Sequence, residues 1–273
     1  MVIGAPSVDE YQTATLTSVI RSVIQCVSII CVNVFVCISG WFGIKASLKG
    51  ITTFLFQCVF IVSITYIFAL LTGICHFSLT GIRQCLLLDS SLWFVKAYIG
   101  LYILSPVLNS FSDSASCRQF VQVLVPFYIF QTLFGIAGAA PYILNGYSVF
   151  SFAGLYLLAK FVRKYCLHYK KQIILGGGIS LLLNAIGYIA PRLAGIVPSE
   201  YFLTYISPLV VLTSIAILLL FDTIKMRPNR IINWISKSVF AVYIVHQSPF
   251  IAKEAYLETN TTFVLDHSNH EES

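Results

Sequence analysis

The stretch ITTFLFQCVFIVSITYIFALLTGI, residues 51–74, runs for 24 positions without one charged side chain. As a helix it rises about 36 Å, enough to cross the roughly 30 Å of hydrocarbon in a bilayer. YFLTYISPLVVLTSIAILLLF, residues 201–221, is a second such run. Barrel strands alternate apolar and polar residues over roughly ten positions, whereas these runs are continuous and twice as long. In lipid only helices and closed barrels satisfy every backbone polar group, so the fold class is an all-α, polytopic transmembrane helix bundle. Composition agrees: 58% of the 273 residues are hydrophobic and 10% charged, against about 25% charged in soluble domains, and the mean hydropathy is +0.85. No soluble domain fits between the runs, so residues 1–273 form one membrane domain ending in a polar tail, residues 254–273.

Eight spans are expected, at about 22–44, 51–74, 91–108, 119–138, 145–162, 172–190, 201–221 and 231–252. The sixth contains Gly176–Gly178, expected to be a packing face because small residues let helices approach closely in membranes. The eight cysteines include no CxxC pair and lie mostly in or beside apolar runs, so they read as small buried residues rather than a disulfide or metal framework. No metal ligand set is expected.

Loop charges set the orientation. With the loop after the first span in the cytoplasm, the inner loops and adjoining span ends hold eleven basic residues: Lys45, Lys49, Arg118, Lys160, Arg163, Lys164, Lys170, Lys171, Lys225, Arg227 and Arg230. The outer segments hold four, Arg21, Arg83, Arg192 and Lys253. This is the positive-inside asymmetry. It accounts for the net charge of +6 without nucleic acid, and it suits a multi-pass protein of the plasma membrane. It also makes the first span enter from outside, although residues 1–20 lack the charged start and cleavage site of a signal peptide. A further helix upstream would resolve that conflict.

Four stretches carry a family likeness. VNVFVCISGWFGIK (residues 32–45) resembles the second span of the acyltransferase family 3 membrane proteins. WFVKAYIGLYILSPVLN (residues 93–109) resembles their fourth. SVFAVYIVHQSPF (residues 238–250) resembles a late helix with Tyr-x-x-His, and GYSVFSFAGLYLLAKFVRKY (residues 146–165) is a weaker fourth match. The resemblance implies a plan of about ten spans, and so one helix before the first span here and one after the last. It implies an enzyme that moves an acyl group, often acetyl, from an acyl-CoA co-substrate to a hydroxyl of a cell-surface or lipid-linked carbohydrate. No bound cofactor is implied; the partners are the bilayer and the carbohydrate acceptor. The family's first span bears an Arg followed eleven residues later by a His; no Arg in these 273 residues is so followed.

Acyl transfer needs a base for the hydroxyl proton and donors for the oxyanion. Imidazole is largely neutral at pH 7 and able to accept a proton. Of the five histidines, only His246 falls in an apolar helix, with Tyr243 three residues before it on the same face. An ionisable group there is either catalytic or hydrogen-bonded to a neighbouring helix. Asn33 and Ser39 read either as hydrogen-bond donors in a site or as helix–helix contacts. Trp93, Lys96 and Tyr98 are expected to line the substrate site, with Lys96 either meeting an anionic group in the bundle or snorkelling to the headgroups. Lys160, Arg163 and Lys164 are expected to contact the donor's phosphates, unless they only obey the loop-charge rule. The alternative function is a transporter or flippase whose pathway Lys96, Tyr98 and His246 would line. Such proteins show repeats and paired broken helices, and no repeat is evident. Pro126 and Pro208 are placed a third of the way into their spans, and Pro106 and Pro249 near span ends.

Overall fold

A computed structural model describes residues 16–89, 92–136, 144–194, 200–224, 229–248 and 250; every regular element among them is helical. In chain order these are α1 (Leu16–Ser28), α2 (Ile30–Phe42), α3 (Leu48–Leu71), α4 (Leu79–Cys85), α5 (Trp93–Ser114), α6 (Cys117–Ile136), α7 (Val149–Phe161), α8 (Lys170–Leu193), α9 (Pro208–Thr223) and α10 (Arg230–His246). Each expected span coincides with one of these, α1 and α2 together forming the first, while α4 is a short extra helix. The tail, the histidines in it, and Lys225 and Arg227 lie outside the described residues, as do the side chains of Lys237 and Arg192.

Among the described residues, five largely helical stretches are long and apolar enough to cross a bilayer: Val19–Phe42, Leu48–Leu71, Trp93–Ser114, Val149–Pro191 and Tyr201–Thr223. The fourth has 43 residues and as one straight rod would reach about 65 Å. A π turn at Val162–Cys166 and a 3-10 turn at Leu167–Tyr169 divide it into α7 and α8.

The chain divides into two units, Met1–Ala46 with Ala97–Met226, and Ser47–Lys96 with Arg227–Ser273. In the first, the helices alternate in direction as an up-and-down membrane bundle must. Cys37 reaches the Leu155 carbonyl, and further along both helices Arg163 meets Trp41, so α2 and α7 run the same way. Phe127 covers Gly154 while Phe120 meets Tyr165, so α6 runs against α7. Lys170 binds Asp222, Gly177 faces Leu212 and Ala216, and Gly187 faces Phe202, so α8 runs against α9. Lys45, Arg118, Lys160, Arg163, Lys164, Lys170 and Lys171 therefore gather at one end of this unit. In the second unit α3 and α10 run alongside in the same sense, Phe54 meeting Phe240 (5.2 Å) and Tyr66 meeting Phe250 (4.5 Å). Exposed side chains such as Phe56, Phe60, Leu71, Leu133, Leu182, Ile186 and Trp234 give both units an apolar outer surface that lipid must cover.

Three expectations need correction. The seventh helix begins at Pro208, not residue 201, which puts Pro208 in its first turn rather than its interior. Proline's ring disfavours helical backbone at the preceding residue, and Ser207 is extended (φ −56°, ψ 126°). The eighth ends at His246, before the Ser248-Pro249 step, rather than at 252. The third continues to Ser114, so Pro106 lies inside it. Pro106 has no N–H for the Tyr102 carbonyl four residues back, and Ser105 Oγ donates to that carbonyl instead, at 2.7 Å. Of the three glycines at 176–178, only Gly177 packs against a neighbouring helix.

Candidate active site

The end of α2 is bound into the first unit by two features of its glycines. Gly40 lies against the α7 backbone, where a Cβ would stand 2.5 Å from the Tyr156 carbonyl oxygen. Gly43 has φ +80°, a left-handed conformation that glycine adopts without steric cost, and it turns the chain so that Ile44 meets Tyr156 and Asn109. Ile44 N–H donates to the Tyr156 hydroxyl (2.9 Å), that hydroxyl donates to Asn109 Oδ1 (2.6 Å), and Asn109 Nδ2 donates back to the Ile44 carbonyl (2.9 Å). This closed ring joins three of the four family-like stretches. Tyr156→Phe leaves the Ile44 amide without its acceptor and Asn109 Oδ1 without its donor. The expected cost is about 2 kcal/mol, or roughly 4–8 °C in the melting temperature of the detergent-solubilised protein; an unchanged melting curve would show that the ring holds nothing.

Beside the ring, Ser39 Oγ and Tyr98 Oη are 3.2 Å apart, and Tyr98 stands edge-on to Phe35 with ring centroids 5.6 Å apart. The three expected phosphate-binding cations behave differently. Lys164 Nζ donates to the carbonyls of Ser112 (2.9 Å), Asp113 (3.2 Å) and Ala115 (3.1 Å), capping the end of α5. Arg163 lies over the Trp41 ring and donates to the Trp41 carbonyl. Lys160 is half-buried over the Tyr156 ring (5.8 Å). Its Nζ lies 3.0 Å from where Gly43 would carry a Cβ, and no hydrogen bond from it is found among the described residues. Asn33 is fully buried in α2; its Nδ2 donates to the Tyr205 carbonyl (2.9 Å), and its Oδ1 has no hydrogen-bond partner among the described residues.

The remaining candidates belong to the second unit. Trp93 stands edge-on to Phe94. Lys96 lies 3.9 Å from the Asp89 carboxylate, an acidic partner sequence reasoning did not single out. Tyr243 packs between Phe94 and Phe240, its hydroxyl buried with no hydrogen-bond partner among the described residues. His246 closes the last turn of α10 and is exposed. So Ser39 meets Tyr98, and Lys96 meets a carboxylate, while Tyr243 and His246 share a helix face in different surroundings. Tyr156 and Asn109 were missed as site-forming residues, because nothing local in the sequence tells which distant hydroxyl an amide will meet.

A family model described as an acyltransferase domain matches residues 4–264. The chain belongs to acyltransferase family 3. No curated protein and no solved structure matches it significantly. The family's acyl-transfer chemistry and the multi-pass helical architecture thus meet in one chain. The hydroxyl pair Ser39–Tyr98 and the Lys160 ammonium lie close to the glycine-containing turn of this acyltransferase.

Proposed function

We propose that this chain takes an acyl group, acetyl in the simplest case, from acyl-CoA at the basic end of its first unit and transfers it to a carbohydrate hydroxyl. The basic end is then the cytoplasmic side of the plasma membrane, and the acceptor is a lipid-linked or cell-surface glycan. The observation that carries this reading is Lys160, a half-buried ammonium with no hydrogen-bond acceptor among the described residues, set against the gap that Gly43 leaves. An ammonium so placed suits a phosphate. In the reaction His246 takes the proton of the acceptor hydroxyl, whose oxygen attacks the thioester carbonyl. The tetrahedral oxyanion that forms needs hydrogen-bond donors to stabilise it. The carbon–sulfur bond then breaks, and the CoA thiolate leaves and regains a proton.

The test uses purified protein in nanodiscs, radiolabelled acetyl-CoA and surface-glycan acceptors. Lys160→Gln is expected to raise the KM for acetyl-CoA about tenfold with kcat little changed, as loss of uniform binding does. An unchanged KM would remove the phosphate role. If vesicles moved unmodified glycan across the membrane and formed no ester, the transporter reading would replace this one.

A further inference from the structure

Across the middle of the first unit, buried amide groups that each leave at least one polar atom without a hydrogen-bond partner among the described residues stand at one depth. Asn33 is in α2, Gln131 in α6 and Asn184 in α8, and none is more than 1% exposed. Asn33 Oδ1, Gln131 Oε1 and both polar atoms of the Asn184 amide lack hydrogen-bond partners among the described residues. Their common level follows from the helix pairings. Tyr128, its hydroxyl also buried and unpartnered, lies near Cys37. One turn away in opposite directions along these antiparallel helices stand Gln131 and Asn33. Gly177 faces α9 between Leu212 and Ala216; seven residues on along α8 is Asn184, and seven back from the midpoint on α9 is Ser207. The non-helical segment Tyr205–Ser207 lies at that level too, its Tyr205 carbonyl held by Asn33 and its Ile206 side chain against Gly135.

Orphaned amides cost free energy in any interior, and non-helical backbone at membrane depth persists only where it is buried in protein or lines a polar space. Three such amides at one level, beside a broken stretch of chain, point to a ligand that supplies the missing hydrogen bonds. Its chemistry can be read from the lining. Residues 29–37, 127–135, 180–188 and 201–211 contain no Asp, Glu, Lys or Arg, so a phosphate or carboxylate would find no counter-charge. Amide oxygens take O–H donors, and the Asn184 NH₂ and Tyr128 hydroxyl offer donors in return.

We infer that this level is a binding site for uncharged hydroxyl groups, either those of a carbohydrate or those of ordered water. It serves the acyl-transfer reading as the place where an acceptor hydroxyl is held, but its binding can be measured without any transfer.

Nanodisc-embedded protein is examined by saturation-transfer NMR with methyl glucoside, methyl galactoside and methyl mannoside, and by X-ray radiolytic labelling, which marks residues beside bound water. If a carbohydrate is the ligand, at least one glycoside gives a signal that falls tenfold or more in both Gln131→Leu and Asn184→Leu, while Lys160→Gln retains it. If water is the ligand, no glycoside signal appears but Tyr128 is labelled at least tenfold faster than the equally enclosed Phe120, and Gln131→Leu abolishes that difference. Melting temperatures guard against misfolding. Filling an orphaned site with leucine leaves the melting temperature level or raises it, whereas removing a helix–helix hydrogen bond lowers it. The inference is overturned by absence of both signals, by a signal that both variants leave intact, or by variants that lose it together with several degrees of melting temperature. Glycoside binding without ester formation would retain this site and sink the acyl-transfer reading; ester formation with neither signal would do the reverse.

Discussion

His246→Ala is expected to lower kcat for acetyl transfer by a factor of about 10² to 10⁴, the usual contribution of a positioned general base. The imidazole ends α10, is exposed, and has Tyr243 one turn behind it with its ring held by Phe94 and Phe240. Because His246 is exposed, the substitution should disturb stability by no more than about 0.5 kcal/mol, so a rate loss would not be a folding loss. The split between the two kinetic constants separates a base from a merely nearby residue: kcat should fall while the KM for acetyl-CoA stays near its original value. A variant that turns over at the normal rate would take His246 out of the mechanism and move the search for a base elsewhere.

The second large effect is structural. Gly40→Leu is expected to leave little folded protein, seen as loss of the monodisperse peak in detergent size-exclusion. A Cβ at this position would stand 2.5 Å from the Tyr156 carbonyl oxygen, 2.9 Å from Tyr156 Cα and 3.1 Å from Ala159 Cβ. Two of those three atoms are backbone, so α2 and α7 can only move apart. Separation would break the Ile44–Tyr156–Asn109 ring and withdraw Cys37 from the Leu155 carbonyl. Overpacking alone costs about 1–3 kcal/mol, and the lost hydrogen bonds add to it. Gly176→Ala is the control: nothing lies within 4 Å of its Cβ position, and alanine should stabilise the helix by up to about 1 kcal/mol. Equal behaviour of the two variants would contradict the close approach at Gly40.

The helical class and the positions of the spans were legible because a long uncharged run admits few other structures in lipid. The basic end of the first unit was legible for a related reason, since loop charge is set by the sidedness of the membrane rather than by packing. The late start of α9 was also written in the chain, as Ser207-Pro208, but hydropathy alone overruled it: Tyr201–Thr223 is apolar throughout its length whether or not it is all helix. The interactions of the site were not legible. Asn109 and Tyr156 are 47 positions apart, and which distant partners meet depends on how helices rotate about their axes. Lys164 and Lys160 look equivalent in AKFVRK, yet the π turn sends one to the carbonyls ending α5 and leaves the other over a tyrosine ring. Asn33 reads as either packing or binding in the sequence; its Nδ2 donates to the Tyr205 carbonyl, and its Oδ1 has no hydrogen-bond partner among the described residues.

The division of the chain between its units bears on how the protein is made. The second unit takes its first part from residues 47–96 and its second from Arg227 onward, so α3 must wait for α10 while everything between is synthesised. At about 5–20 residues per second the ribosome needs roughly 7–26 s for the 130 residues from Ala97 to Met226. Throughout that interval Phe54 and Tyr66 lack Phe240 and Phe250, and lipid or an insertion chaperone must cover them. Slow codons or a stalled ribosome in this window should therefore expose α3 to quality-control proteolysis before the first unit is affected.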